Sequence, residues 1–274
     1  MRLATITLAL TLGVAATSAP RVGDTFRVNT DREMEEHGNR VESGRSTSTD
    51  RDSYVERVVA VRPDGVVLEY DLPPSASADD RATTWQFPFQ VLKSSDGKLQ
   101  LLNAQELEGR VDRWLKAAGA TRAACGKLIF TWNAFRIDCD PQSTIRWLTT
   151  VTLPDNLEVG REVTDPDARA TAALRPAGAN KLVATLQADP ATIRRQRAET
   201  DIGVAELMRK PLTMEAALKA HETETVTGTI ALTFELDPMG RTRRRMRVRT
   251  LQIAWPNGRI DTQTVTETVA RAPL

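Results

Sequence analysis

The stretch DPMGRTRRRMRVR, residues 237–249, puts six arginines into nine positions. Guanidinium groups at that density suit an anion such as a lipid phosphate, an acidic polymer or nucleic acid. The residues before it supply a plainer use. GTIALTFEL (228–236) has the composition of a strand, and Pro238 with Gly240 marks a tight three-residue reversal. Such a hairpin opposes Asp237 to Arg241, Glu235 to Arg243, Thr233 to Arg245 and Ala231 to Arg247. It also sets Met246 and Val248 beside Ile230, Leu232 and Phe234. The odd-numbered arginines then share a wet face, on which Arg245, Arg247 and Arg249 are the candidate anion-binding patch, while Arg244 falls beside Phe234 and covers that ring with its stem. Past Arg249 the apolar phase moves to Leu251, Ile253 and Trp255, which predicts a bulge near Thr250.

Other residues capable of chemistry are sparse. His37 lies in the turn-like EEHGN and His221 in KAHET, beside Glu222 and Glu224. Polar surroundings make both surface residues, and His221 with its glutamates is at most a surface metal site. Zinc sites recruit Cys and His at set spacings, which this chain lacks, so no metal ligand is assigned. No G-x-S-x-G is present, CGKL (125–128) lacks the rest of a phosphate loop, and no G-x-G-x-x-G follows a strand. No catalytic or cofactor-binding residue is therefore assigned, and no cofactor is implied. The 36 acidic residues leave open a hydrolase built on two carboxylates. Trp114, Trp132 and Trp147 read as core builders rather than a stacking platform for sugar.

The remaining pair is Cys125 and Cys139. An even count suits a disulfide in an oxidising compartment, provided that residues 126–138 turn back near 132–134. The compartment follows from MRLATITLALTLGVAA at the start: a basic residue, an apolar run, then small residues. This is the grammar of a secretory signal peptide, residues 1–16, with cleavage after Ala16 or Ala19. The apolar run is too short to span a bilayer. The mature protein is expected in the periplasm or outside the cell. Without Arg2 the basic and acidic residues number 36 each, which removes any long-range attraction to nucleic acid.

These residues are positioned by strands punctuated with similar turns. RPDG (62–65), DPMG (237–240) and WPNG (255–258) each place proline second and glycine last, and SSDGK (94–98) adds a fourth reversal. RPDG as a three-residue loop pairs Arg62 with Val66. WPNG fits either a three-residue loop or a two-residue loop pairing Trp255 with Ile260. Residues 75–82 and 164–170 look like surface loops. Helical periodicity or capping marks 104–118, 141–148, 190–208 and 214–221, and Asn103 with Glu106 suggests a capping box. Strands, interposed helices, then strands again predict α+β. The expected domain is single, residues 20–274: a large curved antiparallel β-sheet, half-barrel-like, packed on several short helices.

The segments VGDTFRV, VVAVRPDGVVLEYDL, GTIALTFELDPMGRTRRR and WPNGRIDTQTVTETV resemble those of uncharacterised exported proteobacterial proteins. Their long strands and punctuated hairpins are similar in pattern to the curved half-barrel of the LolA-type lipoprotein-carrier family. That resemblance implies a concave apolar surface carrying acyl chains, and transfers no functional residue. It points to a non-catalytic exported protein that binds a hydrophobic ligand or an envelope partner. A structural or interaction protein with a filled core, and a carboxylate-based hydrolase, are the alternatives.

Overall fold

A computed structural model describes residues 19–39, 45–130 and 134–274. The expected signal segment, residues 1–16, lies outside them. Fourteen strands are described: β1 (Thr25–Gly38), β2 (Ser46–Arg62), β3 (Gly65–Asp71), β4 (Phe89–Ser94), β5 (Leu99–Leu101), β6 (Leu128–Phe130), β7 (Ala134–Arg136), β8 (Glu162–Val163), β9 (Ala172–Ala173), β10 (Arg175–Pro176), β11 (Lys181–Gln187), β12 (Thr225–Leu236), β13 (Thr242–Ala254) and β14 (Ile260–Pro273). Ten form one open antiparallel sheet in the order β10-β11-β12-β13-β14-β1-β2-β3-β4-β5. Its two halves come from opposite ends of the chain and meet where β1 pairs with β14, for example Val28 with Arg271. Pairs β6–β7 and β8–β9 stand apart from it.

The turns follow local backbone chemistry. At DPMG, Asp237 donates its N–H to the Arg241 carbonyl at 2.8 Å, and its carboxylate accepts from the N–H groups of Met239 and Arg241. WPNG also closes as a three-residue loop, since Trp255 N–H reaches the Arg259 carbonyl at 2.9 Å. Gly240 and Gly258 supply the positive φ that such loops require. RPDG differs from expectation. Arg62 pairs with Gly65 across a two-residue loop, and a bulge between Val58 and Ala60 sets Val58 opposite Leu68.

The register of β12 on β13 also differs, and that difference decides which side chains face inward. Leu236 pairs with Thr242, but Glu235 pairs with Arg244, so Arg243 is an extra residue in a bulge. Beyond it Phe234 faces Arg245, Leu232 faces Arg247 and Ile230 faces Arg249. Opposed residues of an antiparallel pair share a face, so this one-residue slip reverses the expected sidedness of β13. Arg245, Arg247 and Arg249 lie on the inner face with the aliphatic residues, and Met246 and Val248 lie on the outer one. Thr250 pairs with Thr229 and Thr264 without a break. The bulge expected there is at Glu235/Leu236 instead, and β13 keeps one phase through Leu251 and Ile253.

Five α-helices are described, α1 (Ala78–Thr83), α2 (Ala104–Ala117), α3 (Ser143–Val151), α4 (Pro190–Leu207) and α5 (Met214–Ala220), with one 3-10 turn at Arg122–Ala124. α1 falls in a stretch expected to be loop, and Ser77 with Asp80 caps it reciprocally. Asn103 makes no cap on α2; its carboxamide oxygen instead accepts the Gln90 N–H at 2.9 Å, tying the helix to β4. α4 opens on Asp189, which accepts from Ala191 and Thr192, with Pro190 at its first position.

Helices and loops cover one face of the sheet through three apolar clusters. Leu107, Val111 and Leu115 of α2 and Leu148 of α3 pack on Val28, Val58, Tyr70, Phe89 and Val91. Leu157 and Leu174 cover Leu182, Leu186, Ile230, Leu232 and Phe234. Ile193 of α4 packs on Val226, Leu251 and Ile253. The uncovered outer face carries the threonines of β14, Thr262, Thr264, Thr266 and Thr268, paired to β13 through Gln252, Thr250, Val248 and Met246.

Candidate functional site

The arginine row lies on the covered face, between the apolar clusters. Arg247 is 13% exposed and Arg249 14%. Arg247 grips Asp165 with two nitrogens, Nε at 2.7 Å and Nη2 at 2.9 Å. It also donates to Asp167 at 2.6 Å and to Glu267 at 3.0 Å. Arg249 donates to Asp167 at 2.6 Å, to Gln196 of α4 at 3.2 Å and to Gln263 at 3.1 Å. Arg245 donates to the Thr150 carbonyl at the end of α3. Residues 164–170, expected as a surface loop, thus bring buried Asp165 and Asp167 onto the sheet. The anions that Arg247 and Arg249 meet belong to the chain itself, and a diffusible anion would have to displace them.

Electrostatics follow from that packing. Burial alone would raise the Asp167 carboxyl, but hydrogen bonds from Gln196 and Arg247 and the charges of both arginines hold it below the usual range. Burial opposes charge on Arg247 too, yet its bonds to Asp165 and the neighbouring carboxylates raise it above the ordinary guanidinium value. Arg245, with only a carbonyl as hydrogen-bond acceptor, is pushed down by burial. A similar buried unit joins Tyr70, Glu56 and Arg271: the phenol donates to Glu56 at 2.7 Å, and Arg271 donates to it at 2.6 Å and 3.0 Å. Burial, then the charge of Glu56, pushes the Tyr70 hydroxyl well up.

His221 is buried, contrary to its expected surface position. Its Nδ1 lies 2.8 Å from Glu224 and its Nε2 2.9 Å from Asp201, while Arg197 grips Glu224 with two bonds of 3.1 Å. Both ring nitrogens are thereby occupied, and the neighbour expected from sequence, Glu222, is not among the partners. Among the described residues no group of three ligands is placed to hold a metal. His37 is exposed on β1 rather than in a turn.

An aromatic cleft of about 290 Å³ lies on this side of the sheet at the end of the α2–α3 cluster, next to a wider hollow of about 720 Å³ beside the disulfide. Tyr54 reaches it from β2, Phe89 from β4, Phe87 from the preceding loop and Trp147 from α3. Tyr54 and Phe87 stack with ring centroids 5.2 Å apart. Trp147 meets Tyr54 edge-on at 4.7 Å and Phe87 at 5.7 Å. Thr84, Gln86, Ser143 and Asp138 add polar groups to the lining. Burial, then the negative charge of Asp52, pushes the Tyr54 hydroxyl upward, so it is a neutral hydrogen-bonding group at physiological pH. α3 is fixed under the cleft by the Thr144 hydroxyl on the Pro141 carbonyl at 2.7 Å, and by Arg146 on Asp140 at 2.8 Å. Cys125 and Cys139 form the expected disulfide, with Cα atoms 5.6 Å apart, just before that helix.

No family model matches the chain. No curated protein matches it either. Two solved structures are similar in part. One, described as lipid–protein interactions in lipovitellin, has a TM-score of 0.41 and 10% identity over 92% of this chain and 25% of that one. The other, an outer membrane channel from Pseudomonas putida F1, has a TM-score of 0.23 and 8% identity over 96% of this chain and 100% of that one. The chain spans about a quarter of the lipovitellin chain. Similarity at this level does not bear on function.

Sequence reasoning singled out the arginines and cysteines. It missed Asp165, Asp167, Glu56, Tyr70 and the aromatic cleft. The signal for the aspartates was electrostatic: inward arginines require buried counter-charges, and TDPDARA (164–170) holds two aspartates flanking a proline. Trp114 is partly buried against the α2–α3 cluster, and Trp132 lies outside the described residues.

Proposed function

We propose that this chain is an exported, periplasmic, non-catalytic binding protein that takes a small apolar or aromatic ligand in the cleft beside Trp147. It acts as a single domain whose curved sheet is a wall rather than a reservoir. The aromatic cleft carries this reading. Elsewhere the covered face is occupied by aliphatic side chains or by arginines bonded to the chain's own acceptors, and the wider hollow beside the disulfide is lined mainly by charged side chains, Glu108, Arg122, Arg136, Asp138, Asp140 and Arg146. Small-molecule sites are concave and join apolar walls to placed polar groups; this lining sets four aromatic side chains beside five polar residues. The volume suits a ring system or a short acyl segment, not a whole lipid. The disulfide fits an oxidising compartment, and among the described residues no helix is long and apolar enough to cross a membrane.

The test is a titration with N-phenyl-1-naphthylamine, whose fluorescence rises on leaving water. Saturable binding to the wild type and at least a tenfold loss in Ser143→Trp, which fills the cleft, are the expected results. No saturable binding, or equal binding by Ser143→Trp with an unchanged melting curve, overturns the reading. Native mass spectrometry of protein isolated from its own cells then identifies the natural ligand.

A further inference from the structure

The ribbon closed by the disulfide exposes aromatic surface that neither the cleft nor the core uses. β6 and β7 pair Leu128 with Arg136 and Ile129 with Phe135. Phe130 is 68% exposed and Phe135 44%. Alternation places Phe130 and Phe135 on opposite sides of the ribbon, so both of its faces present an aromatic ring. The ribbon is held by the end of α4: the Leu128 N–H donates to Glu206 at 3.1 Å and Arg136 donates to it at 3.0 Å. Leu128 also lies against Gly203, 3.4 Å from where a Cβ would stand. One turn apart at that end of the helix, Val204 is 49% exposed and Met208 58%.

The acids at this surface, Asp138 and Glu206, are paired with Arg146 and Arg136. The chain's arginines are mostly committed to carboxylates, including Arg136, whose partner Glu206 is thereby neutralised. Lys127 at the root of the ribbon, and Arg209 and Lys210 just past α4, are exposed and form no ion pair among the described residues. Aromatic and aliphatic tips beside unpaired cations match a bilayer interface, where rings enter the headgroup layer and cations meet anionic phosphates. A globular partner matches less well. A stable protein interface buries about 800 Å² on each side, whereas the apolar side chains exposed at this surface among the described residues are four, Phe130, Phe135, Val204 and Met208, with the two rings on opposite faces. We infer that the β6–β7 ribbon and the C-terminal end of α4 dock this protein peripherally onto a membrane surface carrying anionic lipid.

Flotation with vesicles tests this independently of the cleft. The full chain is mixed with vesicles of phosphatidylcholine alone, or with about one third phosphatidylglycerol, at low and at 0.5 M salt. Binding should require phosphatidylglycerol and fall with salt, as screening dictates. Phe130→Ser/Phe135→Ser should lose about tenfold or more in vesicle affinity at an unchanged melting temperature. Should that variant misfold, Val204→Ser/Met208→Ser reads the same surface. Lys127→Glu/Arg209→Glu/Lys210→Glu should abolish the preference for phosphatidylglycerol. Failure to float with either vesicle, or flotation that the serine variants leave unchanged, overturns the inference.

Discussion

Arg247 touches three carboxylates from two directions, Asp165 and Asp167 from a loop and Glu267 from β14. Removing it strands the buried Asp165 and leaves Asp167 ion-paired to Arg249, and breaking a buried pair from one side costs about 3–5 kcal/mol. Arg247→Met should therefore destabilise by that much in urea unfolding. Adding Asp165→Asn to it should recover part of the loss, because the orphaned charge goes too. The pH dependence has a definite sign. The folded Asp167 carboxyl is depressed below its ordinary value of 3.8, so its contribution is complete above that value and is lost as pH falls through the lower folded one. Unfolding free energy measured from pH 5 to pH 2 should fall less steeply in Asp167→Asn than in the wild type. Equal slopes would show that Asp167 is not held ionised by the clamp.

At the scale of elements, β13 leaves no room for a side chain on β12 at Gly228. A Cβ there would stand 2.4 Å from the Thr250 carbonyl oxygen and 2.7 Å from the Leu251 side chain. Gly228→Ala must push the two strands apart, and should cost about 1–3 kcal/mol as an overpacked site; an unchanged urea midpoint would contradict the observed register. Removing the disulfide with Cys125→Ala/Cys139→Ala frees a loop of about fifteen residues, worth roughly 3 kcal/mol in the chain-entropy model. The part of this architecture legible in sequence was the part set by adjacent residues. Pro238, Gly240 and Gly258 identify their reversals because φ preferences act locally. The facing of β13 was not legible. It turns on one extra residue, Arg243, in a bulge with no glycine to mark it. Alternation then assigned the arginines to water, the ordinary place for a charge. Their actual partner, Asp165, lies 82 residues away in the chain from Arg247, and no periodicity reports on such a contact. The aromatic cleft was illegible for the same reason, since it unites Tyr54, Phe87 and Trp147 from three elements.

Across the whole molecule the sheet is unevenly supported. β12, β13, β14 and β1 have a neighbouring strand on each side, and three apolar clusters press on the covered face. The first half of β2 has neither advantage. It pairs with β1 from Ser46 to Arg57, whereas β3 joins it only from Val55 onward. Residues Ser46 to Asp52 are exposed, so their outward amides face water along an open edge. Local opening costs little where few apolar contacts and no second strand resist it. Amide hydrogen exchange should therefore be slow through residues 226–234 and 245–253. Residues 46–53 should divide, with amides directed at β1 protected and the alternate ones exchanging orders of magnitude faster. Uniform protection along 46–53 would contradict the free edge and place another strand against it. Dilution then separates the sources: a second copy of the chain loses that protection as concentration falls, and a neighbour from within the same chain keeps it.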